Sequence, residues 1–172
     1  MFEIAIRNKA NTIHVNDTHS KLNPSWVREI ARPTSAEDVQ RLVLCARNAG
    51  LSISIAGARH AMGGQQFGAG TILCDTASFD AVLSLDVEHG LVEVEAGITW
   101  PKLVADLHRL QPGSAAPWTI AQKQTGADRL SIGGAVAANI HGRGLVMRPF
   151  IGDIEELSVV TADGARARCS RG

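Results

Sequence analysis

From Ser35 to Asn48 the apolar positions Val39, Leu42, Val43 and Ala46 fall on one face of a 3.6-residue period, which predicts a helix. Ser35 stands at the N-cap, Asp38 at the capping-box position, and Gly50 just beyond as the C-terminal stop. Leu51–Ala56 reads as a buried strand, central and rigid, followed by a glycine-dense stretch from Gly57 to Gly70 and a further strand at Thr71–Asp75. Val82–Asp86 and Leu91–Ala96 flank Glu88-His89-Gly90 and predict a hairpin. Trp100–Leu110 is amphipathic, with Pro101 in its first turn, where a missing N–H costs nothing. Gln111–Leu130 is a long irregular connection, and loops of that length in compact domains are usually functional. Ser131–Asn139 reads as a short helix of small residues, and Ile154–Thr161 with Ala165–Cys169 as a closing hairpin. Met1–Val15 alternates weakly, as a strand or a loose arm, and Asn16–Pro24 is polar and turn-rich.

Helices and strands mix here without regular βαβ alternation, so the expected class is α+β. A change of texture near Ser78 divides the chain into two small α+β subdomains, 1–77 and 78–172. The chain stops directly after a hairpin, which leads us to expect part of a longer protein, with the second subdomain incomplete and the 172-residue piece inactive by itself.

Composition narrows the function. Seventeen basic and seventeen acidic residues cancel, and aromatics are only 4%, so neither a nucleic-acid footprint nor a base-stacking platform is expected. No apolar run reaches membrane-spanning length, and Met1–Ile13 carries charges instead of a signal-peptide core, so a cytoplasmic location is expected. Cys45, Cys74 and Cys169 are far apart and odd in number, pointing to reduced, buried thiols. His14, His19, His89 and His108 lack metal-ligand spacing and read as surface residues; no metal is expected.

Two segments carry chemistry. The first, 55–64 within "ISIAGARHAMGGQQF", runs off a strand into Gly57, Gly63 and Gly64, where backbone N–H groups can converge on a pyrophosphate without a lysine. It is neither a Rossmann loop nor a P-loop, and a plain glycine-rich turn is the competing account. The second, 124–144, is "QTGADRLSIGGAVAANIHGRG", in which Gly133 and Gly134 open a helix whose N-terminus offers N–H donors. A close-packed helix–strand junction explains those glycines equally well. Taken together, the two segments could hold one extended ligand from both sides.

These two stretches, joined by "VEVEAGITWPKLVADL" and followed by "IGDIEELSVVTADG", resemble the vanillyl-alcohol oxidase/p-cresol methylhydroxylase (PCMH-type) flavoprotein family over Trp26 to Ser170. The resemblance implies FAD held in extended form between two α+β subdomains, with a separate C-terminal substrate domain that this chain lacks. It places Gly57, Ala58, Arg59, His60 and Ala61 at the pyrophosphate, and Gly63 and Gly64 complete that loop. It places Thr125, Gly126, Asp128, Ser131, Gly133, Gly134 and Asn139 along pyrophosphate, ribityl and ring, and Leu157–Val160 near the adenine. His141 stands as a second candidate near the ring or as an ordinary loop histidine, and Arg143 and Arg148 as phosphate partners or solvated side chains.

In covalent members of this family a histidine at the position of His60 bonds the flavin 8α carbon; the alternative is a hydrogen bond to phosphate or ribityl. Many such members carry serine next, where this chain has Ala61, and no cysteine lies between Gln111 and Gly144 for a second link. The implied activity is oxidation of an alcohol or similar C–H donor by hydride transfer to FAD. The alternatives are a reductase resembling the UDP-N-acetylenolpyruvoylglucosamine type and a non-catalytic, vestigial nucleotide site. Expected partners are a small-molecule substrate and a second copy of the chain through exposed apolar surface.

Overall fold

A computed structural model describes residues 12–124, 126–142, 146 and 148–171. The chain forms two compact units, the first from residues 1–78 and 155–172, the second from 79–154.

In the first unit β1 (Ile13–Val15) pairs antiparallel with β2 (Ser25–Val27). Next, β3 (Glu29–Ala31), α1 (Ala36–Asn48), β4 (Ile53–Ala56) and β5 (Ile72–Asp75) build a parallel three-stranded sheet in the order β3-β5-β4. Parallel strands need a crossover, and α1 supplies the one that carries the chain from β3 to β4, the two strands that flank β5. Leu42 and Ala46 of α1 pack on Ala31, Ile72 and Cys74, while Leu73, pointing the other way, packs with Val15, Val27 and Ala56. Every residue of β5 is therefore buried.

The ends of α1 follow the sequence closely. Ser35 Oγ accepts the Asp38 N–H at 3.1 Å, and Asp38 in turn accepts the N–H and hydroxyl of Thr34 at 2.9 and 3.0 Å. At the other end Gly50 N–H donates to Arg47 O and Leu51 N–H to Ala46 O, a Schellman closure with Gly50 at φ +63. Leu51 thus finishes the helix, which is why β4 starts at Ile53 and not at Leu51. The sequence expectation of a central, buried strand here is corrected. β4 is an edge strand with Ile55 65% exposed, and β5 occupies the centre.

The second unit holds the antiparallel β6 (Val82–Asp86) and β7 (Leu91–Val94), α2 (Trp100–Leu110), the short α3 (Ile132–Ala137) and a 3-10 turn at Phe150–Asp153. Its core joins Ile98, Trp100, Leu103, Leu107, Ile132, Ala135 and Phe150. Trp100 and Phe150 meet edge to face, with centroids 5.0 Å apart. The chain then returns to the first unit as the hairpin β8 (Glu156–Val160) and β9 (Arg166–Ser170). This hairpin lies on α1: Gln40 Nε2 donates to Gly164 O at 2.9 Å, and Arg166 pairs with Glu37 at 2.5 Å. The division of the sequence at 78–172 placed it with the second subdomain; its packing on α1 places it with the first.

The thiols also depart from expectation: Cys74 is buried, Cys45 half-buried and Cys169 exposed at the end of β9. Among the described residues no helix is long and apolar enough to cross a membrane, and no group of three His, Cys, Asp or Glu could hold a metal ion.

Candidate functional site

In the first unit β4 delivers the chain through Gly57 and Ala58 into a loop whose backbone is held from one side by the segment Asn16–Asn23. Thr18 donates its N–H and hydroxyl to Arg59 O at 3.0 and 3.2 Å. Ser20 Oγ and Asn23 Nδ2 donate to Met62 O at 3.2 and 2.9 Å. Among the described residues no peptide bond is cis, so the N–H groups of His60 and Gly63 run antiparallel to those two carbonyls and point away from that segment. Gly64, at φ +71, leaves no room for a side chain: a Cβ there would lie 3.0 Å from Asn23 Cβ and its carbonyl oxygen.

Asp17 organises the supporting segment. It is buried, and its carboxylate accepts the N–H groups of His19, Ser20 and Lys21 and the Ser20 hydroxyl, at 2.6 to 3.1 Å. Burial pushes its pKa up, but the Ser20 hydroxyl and those backbone donors outweigh it and bring the group from 3.8 to about 2. Arg59 has a left-handed backbone at φ +58, and its guanidinium lies 2.8 Å from Asp75 at the end of β5. Arg32 stands 3.7 Å from the same carboxylate.

His60 meets His19 at the loop. His19 Nε2 lies 2.5 Å from His60 Nδ1, and the rings are edge to face at 4.5 Å. Two residues past Gly64, Gln66 is half-buried with both amide atoms shut off from solvent, and neither is bonded among the described residues. Ala61 is half-buried.

The second segment is arranged differently. Ser131 is the buried N-cap residue of α3, but its side chain makes no cap bond. Ile132 N–H donates to Ile98 O at 2.8 Å and Gly133 N–H to Ala96 O at 2.7 Å, so the first donors of α3 are spent inside the unit. A Cβ on Gly133 would lie 2.9 Å from Ala96 Cβ and its oxygen. Of the two accounts of this glycine, the close-packed junction is the one observed. A Cβ on Gly134 would meet only Ser131 Oγ, at 3.0 Å. Gly126 is open at φ +95, Asn139 is left-handed at φ +44, and Asp128 pairs with Lys123. His141 is exposed, with Nδ1 3.0 Å from Gly142 O. The buried Gln124 amide donates to Ala127 O, while its Oε1 is unbonded. Leu157–Val160 lies within β8, and Arg148 is exposed. Thr125 and Arg143 lie outside the described residues.

The sequence reading passed over Asp17, His19, Asn23, Gln66 and Gln124. For Asp17 a signal was present, since an Asp with Ser three residues later in a polar stretch is how a side chain caps its own turn, whereas His19 and Asn23 act through contacts some forty residues away in the chain. Nothing local marked the two buried amides.

Within the first unit, a backbone that turns the His60 and Gly63 N–H groups away from Asn16–Asn23 fits a pyrophosphate. The model of the FAD binding domain family matches residues 27–170. Alditol oxidase of a Streptomyces species is 27% identical over 151 residues, 84% of this chain and 33% of that protein. L-gulono-1,4-lactone dehydrogenase of Mycobacterium tuberculosis is 30% identical over 143 residues, 83% of this chain and 32% of that protein. A solved variant of Phl p 4, a glucose dehydrogenase, shares the fold with a TM-score of 0.70 at 19% identity, over 83% of this chain and 29% of that one. The chain spans about a third of the length of the curated relatives it matches. It belongs to the FAD binding domain family, of the p-cresol methylhydroxylase type.

Proposed function

We propose that this chain is the FAD-holding part of an oxidoreductase that oxidises an alcohol carbon, on a sugar-derived polyol or lactone, by hydride transfer to the flavin. The observation that carries the reading is the orientation of the first loop. With the Arg59 and Met62 carbonyls tied back by Thr18, Ser20 and Asn23, the N–H groups of His60 and Gly63, across trans peptides from them, turn away from that segment and are the proposed anion donors. Gly57, Ala58, Arg59, His60, Ala61, Gly63 and Gly64 then form the pyrophosphate seat, with Arg59 a structural cation because Asp75 neutralises it. From the second unit Gly126, Ser131, Gly134 and Asn139 are the proposed flavin contacts, with the Gln124 carboxamide added to them; Gly133 serves packing. FAD, when bound, supplies the hydride acceptor, and the protein's share is to hold and tune it. The named activities of the alditol and gulonolactone relatives support the substrate class.

We further propose that His60 bonds the flavin covalently, as a neutral imidazole on a backbone fixed on both flanks. The test is acid precipitation of the intact protein, followed by measurement of the flavin fluorescence that stays with the polypeptide. His60→Ala should bind FAD and release it on denaturation, with slower turnover. Wild-type protein that contains no flavin at all would sink the FAD assignment; flavin that is bound but wholly released would sink the covalent link alone.

A further inference from the structure

The carboxyl ends of β3, β4 and β5 meet around one acidic side chain. Asp75 closes β5, level with Ala56 of β4 on one side. On the other side Ala31 of β3 is matched with Cys74, so the next residue, Arg32, stands beside Asp75. The strand β4 contributes through the loop that leaves it, which carries Arg59. Ligands of parallel sheets gather at these strand ends, where the connecting loops begin.

One carboxylate there serves two guanidiniums. Asp75 Oδ2 accepts from Arg59 Nη2 at 2.8 Å, and Asp75 Oδ1 accepts the Ala77 N–H at 3.2 Å. Arg32 Nε stands 3.7 Å from the same Oδ2, beyond hydrogen-bond reach. Arg59 also lies over the Phe67 ring, 6.0 Å from its centroid, and is mostly covered. The Arg32 side chain is 60% exposed. Among the described residues no second carboxylate lies within 4.0 Å of either guanidinium. Two positive charges against one negative leave a positive charge over, and it sits on the arm that Asp75 does not bond. Because both arginines share Oδ2, that charge stands beside the loop 57–64.

We propose that Arg32 is the cation that binds the diphosphate of FAD in the first unit. The inference rests on the FAD reading given above. A planar guanidinium can grip two phosphate oxygens at once, and Arg32 can turn toward an anion without breaking a hydrogen bond. Arg59 cannot do the same, because leaving Asp75 would strand a buried carboxylate. The two arginines thus divide the work: Arg59 fixes the loop, and Arg32 meets the ligand.

The experiment titrates intact apoprotein from riboflavin-depleted cells with FAD, ADP and adenosine by calorimetry, and records its thermal unfolding without ligand. Wild type should prefer ADP to adenosine. Arg32→Gln should lose about 10- to 100-fold in ADP affinity, the worth of a charge-assisted bond, with adenosine affinity and the unfolding midpoint unchanged. Added salt should narrow the gap between wild type and Arg32→Gln, and Arg32→Lys, which keeps the charge, should retain part of the ADP preference. ADP bound by Arg32→Gln as tightly as by wild type, an equal loss for ADP and adenosine, or an Arg32→Lys no better than Arg32→Gln overturns the role of Arg32 and leaves the FAD reading standing. Wild-type apoprotein that binds neither FAD nor ADP overturns that reading, and this proposal with it.

Discussion

Asp75, at the end of the central strand β5, holds Arg59 by a 2.8 Å ion pair, although Arg59 stands in a left-handed conformation beyond the edge strand β4. The carboxylate is buried and the guanidinium is 25% exposed, so the pair is sheltered enough to matter. It offsets backbone strain that a non-glycine residue carries there.

Replacing Arg59 separates the two effects. Arg59→Ala loses the ion pair and keeps the strained backbone, whereas Arg59→Gly loses the pair but relaxes the strain. The left-handed cost for an L-residue is about 1–2 kcal/mol, so Arg59→Gly should be the more stable variant by roughly that amount. Urea unfolding of both decides it, and equal stability would show that the φ of +58 costs nothing.

Gly133→Ala should destabilise the second unit by about 1–3 kcal/mol, because its Cβ would press on the Ala96 backbone and not on a yielding side-chain tip. Gly134→Ala meets only the Ser131 hydroxyl and should be much milder. Equal denaturation midpoints for the two would contradict the junction described at Ala96.

Asp17 makes stability depend on acid pH. Its pKa is lowered on folding from 3.8 to about 2, so the unfolded chain binds the proton first. The stabilisation is present above 3.8 and is lost as pH falls through that value towards 2. Asp17→Asn should therefore be less stable at neutral pH and show a flatter stability profile across that window. A variant whose profile matches the wild type there would remove Asp17 from the acid response.

Thiol reactivity should divide the cysteines. Burial, aided by the neighbouring Asp75 charge, pushes Cys74 up to about 11, and a thiol is a poor nucleophile. Iodoacetamide at neutral pH should label Cys169 and spare Cys74 until urea is added, as read by peptide mass. Native labelling of Cys74 at the rate of Cys169 would show that β5 opens readily.

What the sequence made legible was local. The caps, apolar face and glycine stop of α1 lie within one short stretch, as do Pro101 and the apolar stripe of α2. The three-residue strands β2 and β3 are too short to show a period. Whether β4 is central or at an edge is decided by β5, which inserts between β3 and β4 from later in the chain. Gly133 was ambiguous for a similar reason: a helix N-terminal donor and a close packing junction call for the same residue, and only Ala96 distinguishes them. His19 looked like a surface histidine, and it is exposed; its contact with His60 joins positions 41 residues apart.

The return of the closing hairpin to α1 bears on how the chain acquires its fold. Gln40 and Gly164 are bonded across 124 residues, with the whole second unit spliced between them. A flexible loop of that length carries an entropic closure penalty that grows by about 0.6 kcal/mol with each doubling. Condensing residues 79–154 first shortens the effective tether, so the inserted unit acts as an entropic clamp on its host. On a ribosome, α1 and the parallel sheet emerge long before β8 and β9, and α1 must wait with its hairpin-facing side uncovered. Kinetic vulnerability during synthesis is thereby concentrated on one helix face, while the strands beneath it are already shielded.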